Sequence, residues 1–242
     1  MLRRWTLLVL LASIGFLFSA CTSGTSTPPN ASIERRFTFT KNTAGWTSIF
    51  ADYRTDADTS DDGMALTFDR RRLPDDVPDG YGLFLSGRNT SDDLFMGLRR
   101  SLTDLRPNAR YDLTVEVTLA SAAPSNCVGI GGPPGEAVWV KAGGAATKPK
   151  RIADDSGQYR LTVNKGGQSQ GGDAARVLGN AANGIENCHD SPYRLIKRKM
   201  EPPLPVTTTD DGNLWLLVGT DSGFEGTTSL YYDAIRVVLE PR

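Results

Sequence analysis

The chain has one histidine, His189, among 242 residues. A Ser–His–Asp or Cys–His mechanism would have to run through that single position, and a structural zinc site would be short of ligands. His189 stands between Cys188 and Asp190 in a polar stretch and reads as a surface loop residue. An excess of one charge is also missing: Lys and Arg total 27 against 28 Asp and Glu, a formal net charge of -1. That balance offers no electrostatic footprint for nucleic acid. The run Arg70-Arg71-Arg72 is too short to supply one and reads as a solvated face. Helical periodicity is scarce. One apolar run stands out, Thr6 to Phe18, and it is shorter than the roughly 20 residues a membrane-spanning helix needs.

That run sits in a recognisable order. Arg3 and Arg4 precede it, the small residues Ser19 and Ala20 follow, and Cys21 comes next. Charge, apolar core and small residues make the secretory pattern, so residues 1–20 are expected to be a signal peptide. The stretch Leu17-Phe18-Ser19-Ala20-Cys21 resembles the bacterial lipobox, with Phe18 where Leu is usual. The resemblance implies a lipid-bearing Cys21 as the mature N-terminus and anchorage to a membrane. Two or more acyl chains give stable anchoring where one gives marginal binding. Thr22 stands where many such lipoproteins carry an Asp retention signal, which implies the outer membrane in a host that has one. Loss of Arg3 and Arg4 would take the net charge from -1 to about -3.

The segment after Cys21, Thr22-Ser23-Gly24-Thr25-Ser26-Thr27-Pro28-Pro29-Asn30, is small and polar. It cannot bury apolar surface, so residues 21–32 are expected to form a flexible tether. With Cys21 reserved for lipid, Cys127 and Cys188 remain as an even pair in an oxidising compartment, and a disulfide is expected. Closing a loop of about 60 residues would contribute roughly 4 kcal/mol in the chain-entropy account.

Residues 33–242 suit one domain. Their apolar runs are short, alternate with polar residues and end in Gly, Pro, Asn or Asp. In Tyr111 to Leu119, Leu113, Val115, Val117 and Leu119 fall on one face. Similar runs occupy Arg36–Phe39, Met64–Phe68, Tyr81–Leu85, Leu94–Leu102, Val138–Val140, Tyr159–Val163, Leu214–Val218 and Leu230–Leu239. About ten short strands predict an all-β sandwich or barrel. The irregular stretch 165–213, rich in Gly and Pro, is expected to be a long functional loop tied at its middle by the disulfide. Arg176–Gly179 and Tyr193–Ile196 are expected as extra strands within it.

Three segments resemble the jelly-roll sandwiches of galactose-binding-like domains and carbohydrate-binding modules. They are Phe37-Thr38-Phe39 with Gly45-Trp46, the entry Leu102 to Leu113 with its Leu105-Arg106-Pro107-Asn108-Ala109-Arg110-Tyr111, and the closing Leu230-Tyr231-Tyr232-Asp233-Ala234-Ile235-Arg236-Val237. The resemblance implies an antiparallel jelly-roll β-sandwich with neighbouring first and last strands. It also implies one structural calcium, with Asp233 as ligand beside Glu34 or Asp52. Ser91–Met96, Cys127–Gly132 and Leu217–Gly226 are similar to segments of a group of bacterial lipoproteins. That likeness carries a fold and no activity.

Flat aromatic rings stack on sugars, so Trp46, Tyr53, Trp139 and Tyr193 are the expected ligand-binding rings, with Asp92 and Asp93 as polar partners. Trp215, inside Leu214–Val218, is expected in the core, because aromatics dominate cores. Asp56 to Gly63 resembles the start of a calcium loop, but Asp61 stands where Gly belongs and Thr67 where the bidentate Glu belongs. It reads as a solvated acidic turn. A glycosidase needs two carboxylates about 5–10 Å apart, and no spacing here singles out a pair. The sequence therefore predicts a lipid-anchored extracytoplasmic binding module for a glycan or another envelope ligand, and no enzyme. An envelope scaffold is the first alternative, a carbohydrate-active hydrolase the second.

Overall fold

The computed structural model describes residues 31–242. The predicted signal peptide and Cys21, with most of the predicted tether, lie outside the described residues. Fifteen strands follow in chain order. The first five are β1 (Ile33–Thr38), β2 (Thr47–Ala51), β3 (Tyr53–Arg54), β4 (Thr67–Arg72) and β5 (Tyr81–Arg88). Next come β6 (Leu94–Leu102), β7 (Arg110–Ser121), β8 (Val138–Ala145), β9 (Arg151–Ala153) and β10 (Gln158–Leu161). The last five are β11 (Ala175–Asn180), β12 (Arg194–Lys199), β13 (Leu204–Thr207), β14 (Leu214–Ser222) and β15 (Thr227–Pro241).

They build an antiparallel sandwich. One sheet runs β12-β7-β15-β5-β4, with β13 following β12 along β7 and β1 following β5 along β15. The other runs β11-β8-β14-β6-β2, and a ribbon β3-β10-β9 stands apart. First and last strands pair, Phe37 opposite Ile235, as the resemblance implied. The expected count of about ten strands was low, because β2, the two-residue β3 and the three-residue β9 carry no period long enough to see.

Alternation explains the core. On β7, Tyr111, Leu113, Val115, Val117 and Leu119 are fully buried between the sheets. On β15 the inward phase switches, from Leu230 and Tyr232 to Ile235, Val237 and Leu239. A bulge at Asp233 makes the switch, since Tyr232 pairs with Leu119 and Ala234 with the next residue, Thr118. One extra residue turns every later side chain to the other face, and the bulge restores the correct one.

Two tryptophans exchange their expected places. On β14 Leu214, Leu216 and Val218 point inward, so Trp215 points out and is half-buried, with the Lys148 ammonium 5.1 Å from its ring. Trp46, in the turn before β2, is buried against Phe37 with ring centroids 5.6 Å apart. The stretch 165–213 is no single loop, for β11, β12 and β13 lie in it and join both sheets. The expected strand at Met64–Phe68 starts later, at Thr67, and takes in Arg70-Arg71-Arg72. Arg70 and Arg71 cover the rings of Tyr81 and Phe84 at 3.8 and 4.1 Å. Cys127 and Cys188 are bonded, with Cα atoms 5.7 Å apart.

Candidate binding cleft

The outer face of the second sheet is not left to solvent. Ile49 and Ala51 of β2, Phe95 of β6 and Leu217 of β14 form a small apolar cluster there with Val163 and Ala174. The covering chain is the segment 162–174 after β10. It lies close on β8 because Gly143 has no side chain: a Cβ there would fall 1.8 Å from the Ala174 carbonyl oxygen. Gly166 turns the segment with φ of +77°, a region open to glycine.

Beside the apolar cluster, under the same segment, lies a network of charges. Lys141 projects outward from β8 and is 1% exposed; Asp221, near the end of β14, is 0% exposed. The Lys141 ammonium donates to Asp221 at 2.8 Å and to the carbonyls of Lys165 at 3.2 Å and Gln170 at 3.0 Å, and also to that of Gly167. Its four acceptors pin the covering segment to the sheet. The Lys165 ammonium lies 2.6 Å from Asp221 and 2.7 Å from Asp52, and 5.2 Å from the centre of the Phe95 ring. Asp52 occupies the turn between β2 and β3 with φ of +61°, which Asp tolerates better than most residues. Arg160 of β10 completes the chain of charges. Its guanidinium donates to Asp52 at 2.9 Å and to Asp93 at 3.0 Å, with Asp154 at 3.5 Å.

Burial sorts these groups electrically. It pushes the Lys141 ammonium below the usual lysine range, against the pull of Asp221. It also opposes the charge on Lys165, but the carboxylates of Asp221 and Asp52 outweigh it and hold that ammonium above the usual range. The hydrogen bond that Arg160 donates to Asp52 leads the causes that raise Arg160. Asp93 is held above the usual carboxylate range, first by burial and then by the negative charge of Asp52.

Four members of the network, Asp52, Asp93, Arg160 and Lys165, line a cleft of about 560 Å³, and Lys141 and Asp221 are not part of its lining. Its walls are Asp52, Asp92, Asp93, Arg160, Asn164 and Gln168, with Lys165, glycines, Ser91, Leu161 and Val163 between them. Asp93 and Arg160 reach its mouth, with side chains 37% and 42% exposed. The cleft lies at one end of the sandwich. Asp93 precedes Leu94, which pairs with Ser222 at the end of β14; β15 then starts, and its Leu230 faces Ser121, the end of β7. Ile33 faces Leu239 at the other end of β15. Nine residues of strand separate Leu230 from Leu239, roughly 30 Å.

Of the expected ligand-binding residues, Asp92 and Asp93 line this cleft and the four rings do not. Trp46 and Tyr53 are buried, Tyr53 with its ring 5.3 Å from Tyr159. Tyr193 packs edge-on against Tyr231, 5.5 Å away. Trp139 is half-buried on the outer face of β8, opposite Asp221 in the register. The expected metal set is not brought together either. Glu34 is held by Arg236 through contacts of 2.7 and 2.8 Å. Asp233 stands on the β15 bulge. Among the described residues, Asp52, Asp93 and Asp221 are the carboxylates close enough to hold a cation, with ligand atoms within 4.8 Å. In the structure Asp52 and Asp221 flank the Lys165 ammonium, while Asp93 is paired with Arg160. Lys141, Arg160, Lys165 and Asp221 were missed in the sequence. Lys141 carried a weak signal, as a lysine on the strand-like run that follows Val138-Trp139-Val140.

Fold and site together define a two-sheet antiparallel β-sandwich with a charged cleft on one outer face. No family model matches the chain, and no curated sequence matches it. Solved structures offer distant similarity. A family 11 carbohydrate-binding module of a Clostridium thermocellum cellulosomal cellulase is 12% identical, with 88% of this chain and 97% of that one covered and a TM-score of 0.39. The K1 cleaved adhesin domain of Lys-gingipain from Porphyromonas gingivalis W83 is 10% identical over 85% and 97%, with a TM-score of 0.37. The enzymatically active domain of tailspike protein 4 from bacteriophage CBA120 is 9% identical at a TM-score of 0.35; 79% of this chain is covered, and it spans 19% of that chain. Likeness at this level fixes neither ligand nor activity.

Proposed function

We propose that the protein is an extracytoplasmic binding module, without catalytic activity, for a glycan or similar polyhydroxylated ligand. The observation that carries this reading is the cleft, whose half-exposed Asp93 and Arg160 stand beside Asn164 and Gln168. Carboxylate, guanidinium and amide groups offer paired acceptors and donors of the kind hydroxyls need. Ligand recognition is assigned to these polar groups, in place of the aromatic platform expected from the sequence. No calcium is invoked, because Lys165 already supplies the positive charge among the carboxylates.

A glycan array probed with residues 33–242 tests the reading. Binding is expected, unchanged by a chelator, with a tenfold loss in Arg160→Ala. A silent array, or binding indifferent to Arg160→Ala, removes the cleft as the site. The hydrolase alternative has one point in its favour, the raised carboxyl of Asp93. Asp52 and Asp221, however, are buried against lysine ammonium groups, which leaves Asp92 as the cleft carboxylate that could act with it. Release of reducing ends from an array hit, lost in Asp93→Asn, would establish the hydrolase instead. The scaffold alternative has Val128 and Ile130, exposed on the loop that the disulfide ties down.

The same proposal includes anchorage by lipid on Cys21, supported by the lipobox-like stretch before it. Ile33 begins the first strand at the end of the sandwich away from the cleft, so the expected tether joins the domain at the end remote from the cleft. Cys21→Ala is expected to move the protein from the membrane fraction to the soluble one. Retention in the membrane fraction would refute the lipid anchor.

A further inference from the structure

The charges around the cleft do not balance, and the imbalance points to the chemistry of the ligand. Among the buried groups, Lys141 and Lys165 match Asp52 and Asp221, two positive groups against two negative. Nearer the mouth, Arg160 contacts Asp93 and Asp154, and the exposed Asp92 lines the same cleft. Arg160 already contacts three carboxylates, those of Asp52, Asp93 and Asp154. Lys141 has four acceptors, and Lys165 touches two carboxylates and a carbonyl. The cations are therefore committed within the protein.

A spare acceptor remains. Asp92 lines the cleft with its carboxylate free of any ion pair among the described residues. It is positioned by its own backbone, in a turn with φ of +58°, and its carbonyl accepts from Gln168 at 2.6 Å. An unpaired carboxylate at the mouth of the cleft raises the local negative potential there. The Asp93 carboxyl is raised first by burial and then by the negative charge of Asp52.

We propose that the cleft selects ligands bearing a primary ammonium group, such as an amino sugar with a free amine, over neutral and acidic glycans. This rests on the binding reading above and narrows it. The ammonium would take the place at the mouth between Asp93 and Asp92, while hydroxyls of the same ligand engage Asn164, Gln168 and the remaining guanidinium nitrogen of Arg160. An acidic glycan finds no uncommitted cation and meets Asp92 and Asp93 head-on. The protein shows the arrangement once already, in the Lys165 ammonium seated between Asp52 and Asp221.

The test is calorimetric titration of residues 33–242 with three tetrasaccharides: β-1,4-linked glucosamine, β-1,4-linked N-acetylglucosamine and α-1,4-linked galacturonate. The buffer is acidic enough to keep the amines charged. The glucosamine ligand is expected to bind at least tenfold more tightly than the acetylated one, with an advantage that shrinks as salt is raised. Galacturonate is expected to bind most weakly. Asp93→Asn should reduce the amine-to-acetyl ratio to below threefold, and the exposed Asp92→Asn, which leaves the buried network intact, should lower it in the same direction. Equal binding of the amine and acetyl ligands, or a preference for galacturonate, overturns the inference while leaving a glycan site in place. Binding of none of the three, with a silent array, overturns both readings together. A ratio unchanged in both folded variants overturns the assignment to the cleft mouth.

Discussion

The second sheet has two faces, and they are stabilised by different means. Its inner face presents Leu98, Val138, Val140, Leu216 and Val218 to the other sheet, all fully buried. Its outer face carries Lys141 and Asp221 from the same strands, equally buried but charged. On the inner face, removal of apolar surface from water is the gain, at about 25 cal/mol per Å². On the outer face, two lysines and two aspartates are taken out of water, and their mutual attraction largely offsets a desolvation cost of several kcal/mol per ion. The inner arrangement tolerates trimming and leaves a cavity. The outer arrangement tolerates no single deletion, because each missing partner strands a charge.

Single and multiple substitutions across the sheet can break that comparison. Asp221→Ala leaves the Lys141 and Lys165 ammonium groups without their shared carboxylate, and a loss of about 3–5 kcal/mol is expected in urea denaturation. Leu216→Ala, one residue type on the inner face, should cost about 2–5 kcal/mol. The two become distinguishable in the triple variant Lys141→Met, Lys165→Met, Asp221→Leu. Replacement of a buried ionic set by packed apolar groups is often neutral or stabilising, so the triple variant should recover most of what Asp221→Ala loses. No comparable rescue exists for Leu216→Ala. A triple variant as unstable as Asp221→Ala would show that the bonds from Lys141 to the carbonyls of Lys165, Gly167 and Gln170 matter more than the pairing of charge.

The same contrast separates what could be read in the sequence from what could not. The inner face is written in adjacent residues: Leu214, Leu216 and Val218, or Leu113 through Leu119, declare a strand and its buried side locally. The disulfide followed from counting cysteines once Cys21 was set aside. The outer network has no local signature. Its six members come from five strands or their flanks, and contacting partners lie far apart in the chain, Asp52 with Arg160 and, farther still, Asp52 with Lys165. Charged residues there look like ordinary solvent-facing positions until the segment 162–174 closes over them. Asp92 and Asp93 were found because they sit together before a strand. Trp46 misled because a Gly-Trp turn resembles an exposed one, and its burial depends on Phe37, nine residues earlier and in a different sheet.

Proton linkage offers the finest distinction between the two faces. The inner residues do not ionise, so their contribution is independent of pH. Asp93 does ionise, and its carboxyl is held above the ordinary range by burial, with the charge of Asp52 adding to the shift and Arg160 opposing it. A carboxyl whose pKa is higher in the folded state than in the unfolded chain favours the folded state while it is protonated. That favour is present in full below the unfolded value, about 3.9, and is lost as pH rises through the folded value. Ionised Asp93 therefore costs stability at neutral pH, by a margin reduced by its partial exposure to solvent. Asp93→Asn is expected to melt at a higher temperature than the parent at pH 7, with the difference closing as the pH falls towards 3.5. Leu216→Ala, measured beside it, should stay below the parent by a nearly constant interval. If Asp93→Asn melts lower at neutral pH, the contact with Arg160 outweighs burial, and the mouth of the cleft belongs with the balanced network beneath it.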